Sequence, residues 1–148
     1  MTNNKSIIID ASNLIFGRIL SYAAKQALEG QEVIILNISK AVISGDRKST
    51  IARAKVKLRT RTLASQDKGP KHPRRPETYA KRALRGMLPH KIPKGKNAYK
   101  RVKIYTDIPE EYSDKQYQRI STADASKLKC RYILLEDLSR EIGGVQIE

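Results

Sequence analysis

The chain has 148 residues, of which 30 are Lys or Arg and 15 Asp or Glu, giving a formal net charge of +15 and a sequence pI near 10.1. That length holds one domain around one core, and so large a positive charge calls for an anionic partner, nucleic acid before membrane. No apolar run approaches the ~20 residues that span a bilayer, and Asp10 follows Ile7-Ile8-Ile9 too soon for a signal peptide, so the expectation is a single cytosolic domain over 1–148.

Ile7 to Ile9 form a short apolar run closed by Asp10, Ser12 and Asn13, the pattern of a buried strand handing over to a capped helix. Ile15, Ile19, Leu20, Ala23, Ala27 and Leu28 recur at helical spacing before Gly30, which predicts a helix over about Phe16 to Glu29. Val33 to Leu36, with Ile38, are too continuously apolar for a half-exposed strand and read as one buried on both faces, as parallel strands are. Two such strands around a helix make a βαβ unit, so the fold class is α/β. Ser44-Gly45-Asp46 is a turn, and Ile51, Ala54, Leu58 and Thr62 mark one side of a helix from about Ser49 to Thr62.

Charge is concentrated between Arg47 and Lys103, where 57 residues hold 20 Lys or Arg and only two acids, Asp67 and Glu77. Arg47 and Lys48 open the segment. Arg53, Lys55, Lys57, Arg59 and Arg61 occupy the other faces of the second helix without acidic neighbours, which points to phosphate contact rather than an ordinary solvated face. Residues 65–76 combine Gly69, Pro70, Pro73 and Pro76 with Lys68, Lys71, His72, Arg74 and Arg75, too polar for a core and expected to be mobile until bound. Glu77 to Met87 predicts a helix with Tyr79, Ala83, Leu84 and Met87 inward and Lys81, Arg82 and Arg85 outward, ended by Pro89. From Arg85 to Lys96 the prolines fix the backbone and the glycines permit close approach, so a rigid loop can present Arg85, Lys91, Lys94 and Lys96 to phosphates, with His90 and Lys100 beside them. Gly86 is read as the place where a side chain would push the loop from RNA or strain a positive φ.

Val102 to Ile104 read as a further strand leading into a turn at Asp107 to Pro109, and residues 106–148 form an acidic-to-neutral tail. Within it Arg131 to Leu135 is a short strand or a lead-in to a helix from Glu136 to Ile142, capped by Gly143 and Gly144. Aromatic residues are few, one Phe and seven Tyr without Trp. Modules that read single strands stack bases on aromatic platforms, so folded RNA held by phosphate and shape is the better target.

Asp10 stands at the carboxyl end of a strand, where α/β enzymes place catalytic carboxylates, and Asp46 and Asp107 could join it as a nuclease-like metal cluster. Capping of the first helix, or of the turn before it, is the simpler reading of Asp10. Residues 12–17 match neither phosphate-loop pattern, so no nucleotide cofactor is expected, nor a small-molecule substrate. Cys130 is alone and cannot form an internal disulfide; with His72 and His90 it lacks zinc-ligand spacing, so no metal is expected either. The histidines lack the neighbours of a catalytic triad.

The run Arg85-Gly86-Met87-Leu88-Pro89-His90-Lys91-Ile92-Pro93-Lys94-Gly95, continued by Asn97-Ala98-Tyr99-Lys100-Arg101-Val102-Lys103-Ile104-Tyr105, closely resembles the signature of the universal large-subunit ribosomal protein family thirteen. Ile9-Asp10-Ala11, Gly17-Arg18 and Val42-Ile43-Ser44-Gly45 resemble further elements of that family in the same order, so the resemblance covers most of the chain. Leu88-Pro89-His90-Lys91 is similar to the archaeal and eukaryotic branch, and the end near Gly143-Gly144 resembles the archaeal form. The resemblance implies a three-layer fold, a small parallel sheet of about four strands between helices, with basic loops and no enzymatic activity. It also implies a cytoplasmic ribosomal protein that binds large-subunit ribosomal RNA beside neighbouring proteins and supports early subunit assembly. Asp107 departs from the family's usual Gly, which puts some strain on that turn. A metal-dependent nuclease or RNA-modifying enzyme using Asp10, Asp46 and Asp107, and a free regulator of messenger RNA, are the competing readings.

Overall fold

The computed structural model describes residues 6–65 and 67–144, and its centre is the pairing of the two isoleucine-rich runs. Strand β1 (Ile7–Asp10) leads through a tight turn into helix α1 (Phe16–Leu28), whose Ile19, Leu20, Ala23 and Ala27 are buried. Gly30 takes φ +101° just past the helix end, a backbone state that a side chain would strain. Strand β2 (Val33–Leu36) is buried at every residue, which is why its sequence shows no alternation. A single turn of 3-10 helix over Ile38–Lys40 then leads to β3 (Val42–Ser44).

Helix α2 (Arg47–Arg59) starts two residues before the predicted Ser49, because Asp46 caps it by accepting from the Ser49 N–H at 3.4 Å, and it stops before Thr62. Helix α3 (Pro76–Met87) opens on the proline that favours a first turn. Of the rigid loop expected over Arg85 to Lys96, only residues 88–92 lie outside helices: its start ends α3, and its last four residues begin a further helix, α4 (Pro93–Arg101), again opened by proline. Strand β4 (Val102–Ile104), strand β5 (Tyr132–Leu134) and helix α5 (Leu135–Glu141) follow.

β1, β2 and β4 form one parallel sheet in that order, with Ile7 opposite Val33 and Val33 opposite Val102. This is the α/β arrangement with a small parallel sheet that the sequence implies, with three strands rather than four. The other two pair antiparallel as β3–β5, with Ile43 opposite Ile133. Alternate residues divide the parallel sheet between two clusters. Ile9, Val33, Ile35 and Val102 meet α1, Leu84 of α3 and Ala98 of α4, and Leu135 and Leu138 of α5 close that core. Ile8, Ile34 and Leu36 are covered instead by Tyr112, with Tyr105 and Tyr117 packed beside it. The Tyr105 and Tyr112 rings are 5.7 Å apart.

Asp10 holds the junction of β1, β2 and α1. Its Oδ1 accepts from the Ser12 N–H at 3.1 Å, the Ser12 hydroxyl at 2.8 Å and the Asn37 amide at 3.0 Å. The residue preceding α1 is Ile15, which makes no side-chain cap, so Asp10 braces the turn before the helix and not the helix itself. Asn37 is buried and has φ +55°; apart from Asn13 it is the only described non-glycine residue with positive φ. Asp107 therefore carries no left-handed strain.

Burial on its own would raise the Asp10 pKa, but hydrogen bonds from Asn37 and Ser12, with Lys40 nearby, hold it below its ordinary value of 3.8. A carboxyl with a depressed folded-state pKa contributes stability above pH 3.8 that is lost as pH falls toward the folded value. Asp10→Ala leaves the buried Asn37 amide without its acceptor and is expected to lower unfolding free energy by ~1–3 kcal/mol. Asp10→Asn keeps an acceptor oxygen and should lose less, while flattening the acid limb of stability below pH 3.8. Urea unfolding of both variants across pH 3 to 7 measures this, and an Asp10→Ala midpoint equal to wild type would refute it.

Candidate nucleic-acid interface

Helix α2 has only Ala54 fully buried, with Ile51 and Leu58 half-buried against the core. So narrow a contact leaves Lys48, Arg53, Lys55, Lys57 and Arg59 exposed. The ion pairs found among the described residues draw on Arg47, Arg119, Arg131 and Arg140. Arg47 is thus different from its neighbours: it reaches Glu141 at 3.1 Å and Asp137 at 3.9 Å, locking α2 to α5. The expected lack of acidic partners concerns Arg53, Lys55, Lys57, Arg59 and Arg61; Arg47, ahead of them, finds its acids at the far end of the chain. Arg61, also exposed, is engaged as well.

Beyond α2, Lys68, Lys71, Arg74 and Arg75 are exposed on an irregular segment. Its end is tied down where the Ser139 hydroxyl donates to the Arg74 carbonyl at 2.6 Å. His72 lines a groove between α2 and α3, and its Nε2 is buried without a hydrogen-bond partner.

On α3, Arg82, Arg85 and Gly86 face solvent, as expected, whereas Lys81 does not. The Lys81 ammonium lies 4.5 Å from the Tyr99 ring centre and donates to the carbonyls of Tyr99, at 3.0 Å, and Val102. Those carbonyls belong to the end of α4, where a cation is favoured by the helix dipole and by oxygens lacking intrahelical donors. Burial pulls the Lys81 pKa down. Its inward role depends on α4, a helix the Lys- and Asn-rich sequence conceals. Met87, expected inside, is 43% exposed.

α4 and the link before it expose Lys91, Lys94, Lys96 and Lys100, and His90 is half-buried there. Arg101 turns back to donate to the Ala27 carbonyl at 3.2 Å. The two glycines of this region have different jobs. A Cβ on Gly95 would overlap the Pro89 carbonyl and approach the His90 nitrogen to 3.0 Å, so Gly95 lets the chain pack on itself. Gly86 has an unexceptional backbone, and nothing lies within 4 Å of where its Cβ would stand, so the expected positive φ is absent and its bare surface has no internal purpose.

The three carboxylates proposed for metal chemistry are not a cluster. Asp10 is occupied as described, Asp46 caps α2 and sits 3.7 Å from Arg131, and Asp107 lies exposed in its turn. Among the described residues no three His, Cys, Asp or Glu side chains are grouped so as to hold a metal ion.

The family profile described as ribosomal protein L13 matches residues 4–111. A protein of Thermoplasma volcanium named large ribosomal subunit protein uL13 is 44% identical over 138 residues, covering 93% of this chain and 98% of that one. Proteins of the same name from Methanococcoides burtonii and Saccharolobus solfataricus are 41% and 40% identical, each over 93% of this chain and over 97% and 92% of their own lengths.

The contrast between the glycines is testable without RNA. Gly95→Ala forces backbone apart and should destabilise the free protein by ~1–3 kcal/mol. Gly86→Ala should leave stability unchanged or raise it by up to ~1 kcal/mol through helix propensity. Thermal melts of the two variants decide it; equal melting temperatures would contradict the packing described for Gly95.

Proposed function

The chain belongs to the ribosomal protein L13 family, and from that premise we propose that it is a structural component of the large ribosomal subunit that binds folded large-subunit ribosomal RNA. One observation carries the reading. The exposed cations of α2, α3, α4 and residues 68–75, Arg61 apart, have no acidic partners among the described residues, while Arg47 and the C-terminal arginines do. A folded protein that leaves so many like charges unpaired on adjoining helices repels itself until polyanion neutralises them. The contact set is Lys48, Arg53, Lys55, Lys57, Arg59, Lys68, Lys71, Arg74, Arg75, Arg82, Arg85, Lys91, Lys94, Lys96 and Lys100, with Gly86 and His90 beside them; Arg47 and Lys81 are engaged by acids and carbonyls of the protein, and Arg61 is exposed and also engaged.

Binding would brace distant RNA helices against one rigid domain, which supports early subunit assembly in the cytoplasm next to other large-subunit proteins. The family is one of ribosomal proteins and not of enzymes, and the dispersal of Asp10, Asp46 and Asp107 leaves a nuclease reading without a centre. Segment 67–75, mostly exposed and free of helix or strand, is where ordering on RNA would show as protection from protease.

If about half of the 20 basic residues in 47–103 meet phosphates, log affinity for the ribosomal RNA should fall with log salt at a slope near −7 to −9. Lys55→Ala should make that slope shallower by about 0.7 to 0.9 without changing the melting temperature. Lys81→Ala should do the reverse, lowering stability by ~1–3 kcal/mol at an unchanged slope, since its ammonium satisfies two backbone carbonyls. A wild-type slope shallower than about −3 would remove the basic segment from the interface.

Arg85→Lys preserves charge and loses the bidentate grip of a guanidinium. Its incorporation into large subunits, measured against wild type after a high-salt wash, should drop; full retention would show that Arg85 acts only as a point charge.

A further inference from the structure

The groove between α2 and α3 has a volume of about 550 Å³, within the range of small-ligand sites, and its walls are apolar: Phe16, Leu58, Tyr79 and Ala83. The Phe16 and Tyr79 rings lie 6.0 Å apart at 41°, so an aromatic pair is concentrated here in a chain that has few aromatics. Lys57 and Arg82 stand on the rim without acidic partners among the described residues. Two features that the fold leaves unexplained meet at the same place. His72 lines the groove with a buried, unpartnered Nε2, and buried polar nitrogens in native structures normally have a partner. Gly86 also lines it, giving up helix propensity with no steric need of its own.

We infer that this groove receives one unstacked base of the bound RNA, held between apolar and aromatic walls, with its flanking phosphates on Lys57 and Arg82. The inference rests on the RNA-binding reading above and adds to it a single-nucleotide subsite. A base has a stacking face for the Tyr79 side and polar edge atoms beside the His72 ring, and its backbone supplies the negative charge that the rim lacks. An apolar protein segment would fill the walls but would leave both rim cations unanswered. The bare surface of Gly86 lets the sugar-phosphate chain come close where a side chain would stand in its way.

The test uses the full chain bound to deproteinised large-subunit ribosomal RNA, read by base-specific chemical probing of Watson–Crick edges and by zero-length ultraviolet crosslinking mapped to residues. Wild type is expected to protect at least one unpaired base and to crosslink it to Phe16, His72 or Tyr79. Gly86→Leu puts a bulky group at the groove without altering charge. It should expose that base and weaken binding between about fivefold and about a hundredfold, the range for losing one base stack, with the salt slope unchanged. Lys57→Ala should instead make the slope shallower by about 0.7 to 0.9. A Gly86→Leu chain that melts like wild type and gives the wild-type protection map and affinity would overturn the subsite and leave the broader RNA-binding reading standing. Absence of any RNA crosslink to the three groove residues in the wild-type complex would overturn it too, without reliance on any variant. Crosslinks from the groove solely to another protein in assembled subunits would assign it to a protein partner and refute the base. No binding of ribosomal RNA by wild type would sink both readings together.

Discussion

Everything in this molecule hangs on β2, which is paired in parallel on both edges and covered on both faces. Parallel pairing cannot be closed by a tight hairpin, so each partner of β2 must be reached by a long crossover. The first crossover is α1. The second runs from the end of β2 to β4 and contains β3, α2, α3 and α4, which is to say nearly all of the basic segment. The topology that builds the core therefore also suspends the cations between two strands of one sheet, on helices whose inner faces are anchored by Ala54, Ala80, Leu84 and Ala98. A cationic surface carried in this way keeps its spacing, which a basic tail of the same charge would not.

That surface has a cost in self-repulsion, and the fold offsets it only at its margins. Arg47 is neutralised by the acids of α5, Arg101 is spent on the carbonyl end of α1 and Lys81 on the end of α4. These three sit where elements join, and each ties together pieces that are distant in sequence. Most of the cations left over lie on the outward sides of the helices or on the irregular segment 68–75, where water and salt screen them and where phosphate can replace that screening. Charge in 47–103 is thus divided by position into a structural minority and an exposed majority, although composition makes them look alike.

Local periodicity was enough to reveal β1, α1 and β2, because each buries a face or stripe whose spacing shows in the residues themselves. The α/β class followed from that unit. β3 and β5 are three residues each and exist through pairing with one another across most of the chain, so no window of sequence around Val42 contains the reason for the strand. α4 escaped for another cause: Lys94, Lys96, Asn97 and Lys100 dilute the pattern, and only Ala98 and Gly95 are buried along it. With α4 unseen, Lys81 had to read as one more outward cation, since its acceptors are the carbonyls at that helix's end. The exposed sides of α2 and α3 were legible because runs of Lys and Arg without Asp or Glu need no tertiary knowledge. The groove between those helices was not, for its walls come from α1, α2, α3, the Pro-rich segment and Ile142.

The signature run from Arg85 to Tyr105 illustrates why a recognisable motif should not be equated with a contact list. Pro89 and Gly95 press backbone against backbone, Pro93 starts α4, Ala98 fills the core and Tyr99 receives Lys81. These residues are thereby committed to folding their own corner of the domain. Arg85, Lys91, Lys94, Lys96 and Lys100 are outward cations interleaved with these internal residues. Their mutual geometry is set by how tightly the inward residues pack. A substitution at Gly95 would therefore displace several cations at once without touching any of them, whereas one at Gly86 would change only what approaches from outside. The specificity of such a surface lies in the spacing that the buried half of the motif enforces, since phosphate contacts taken singly carry no sequence information.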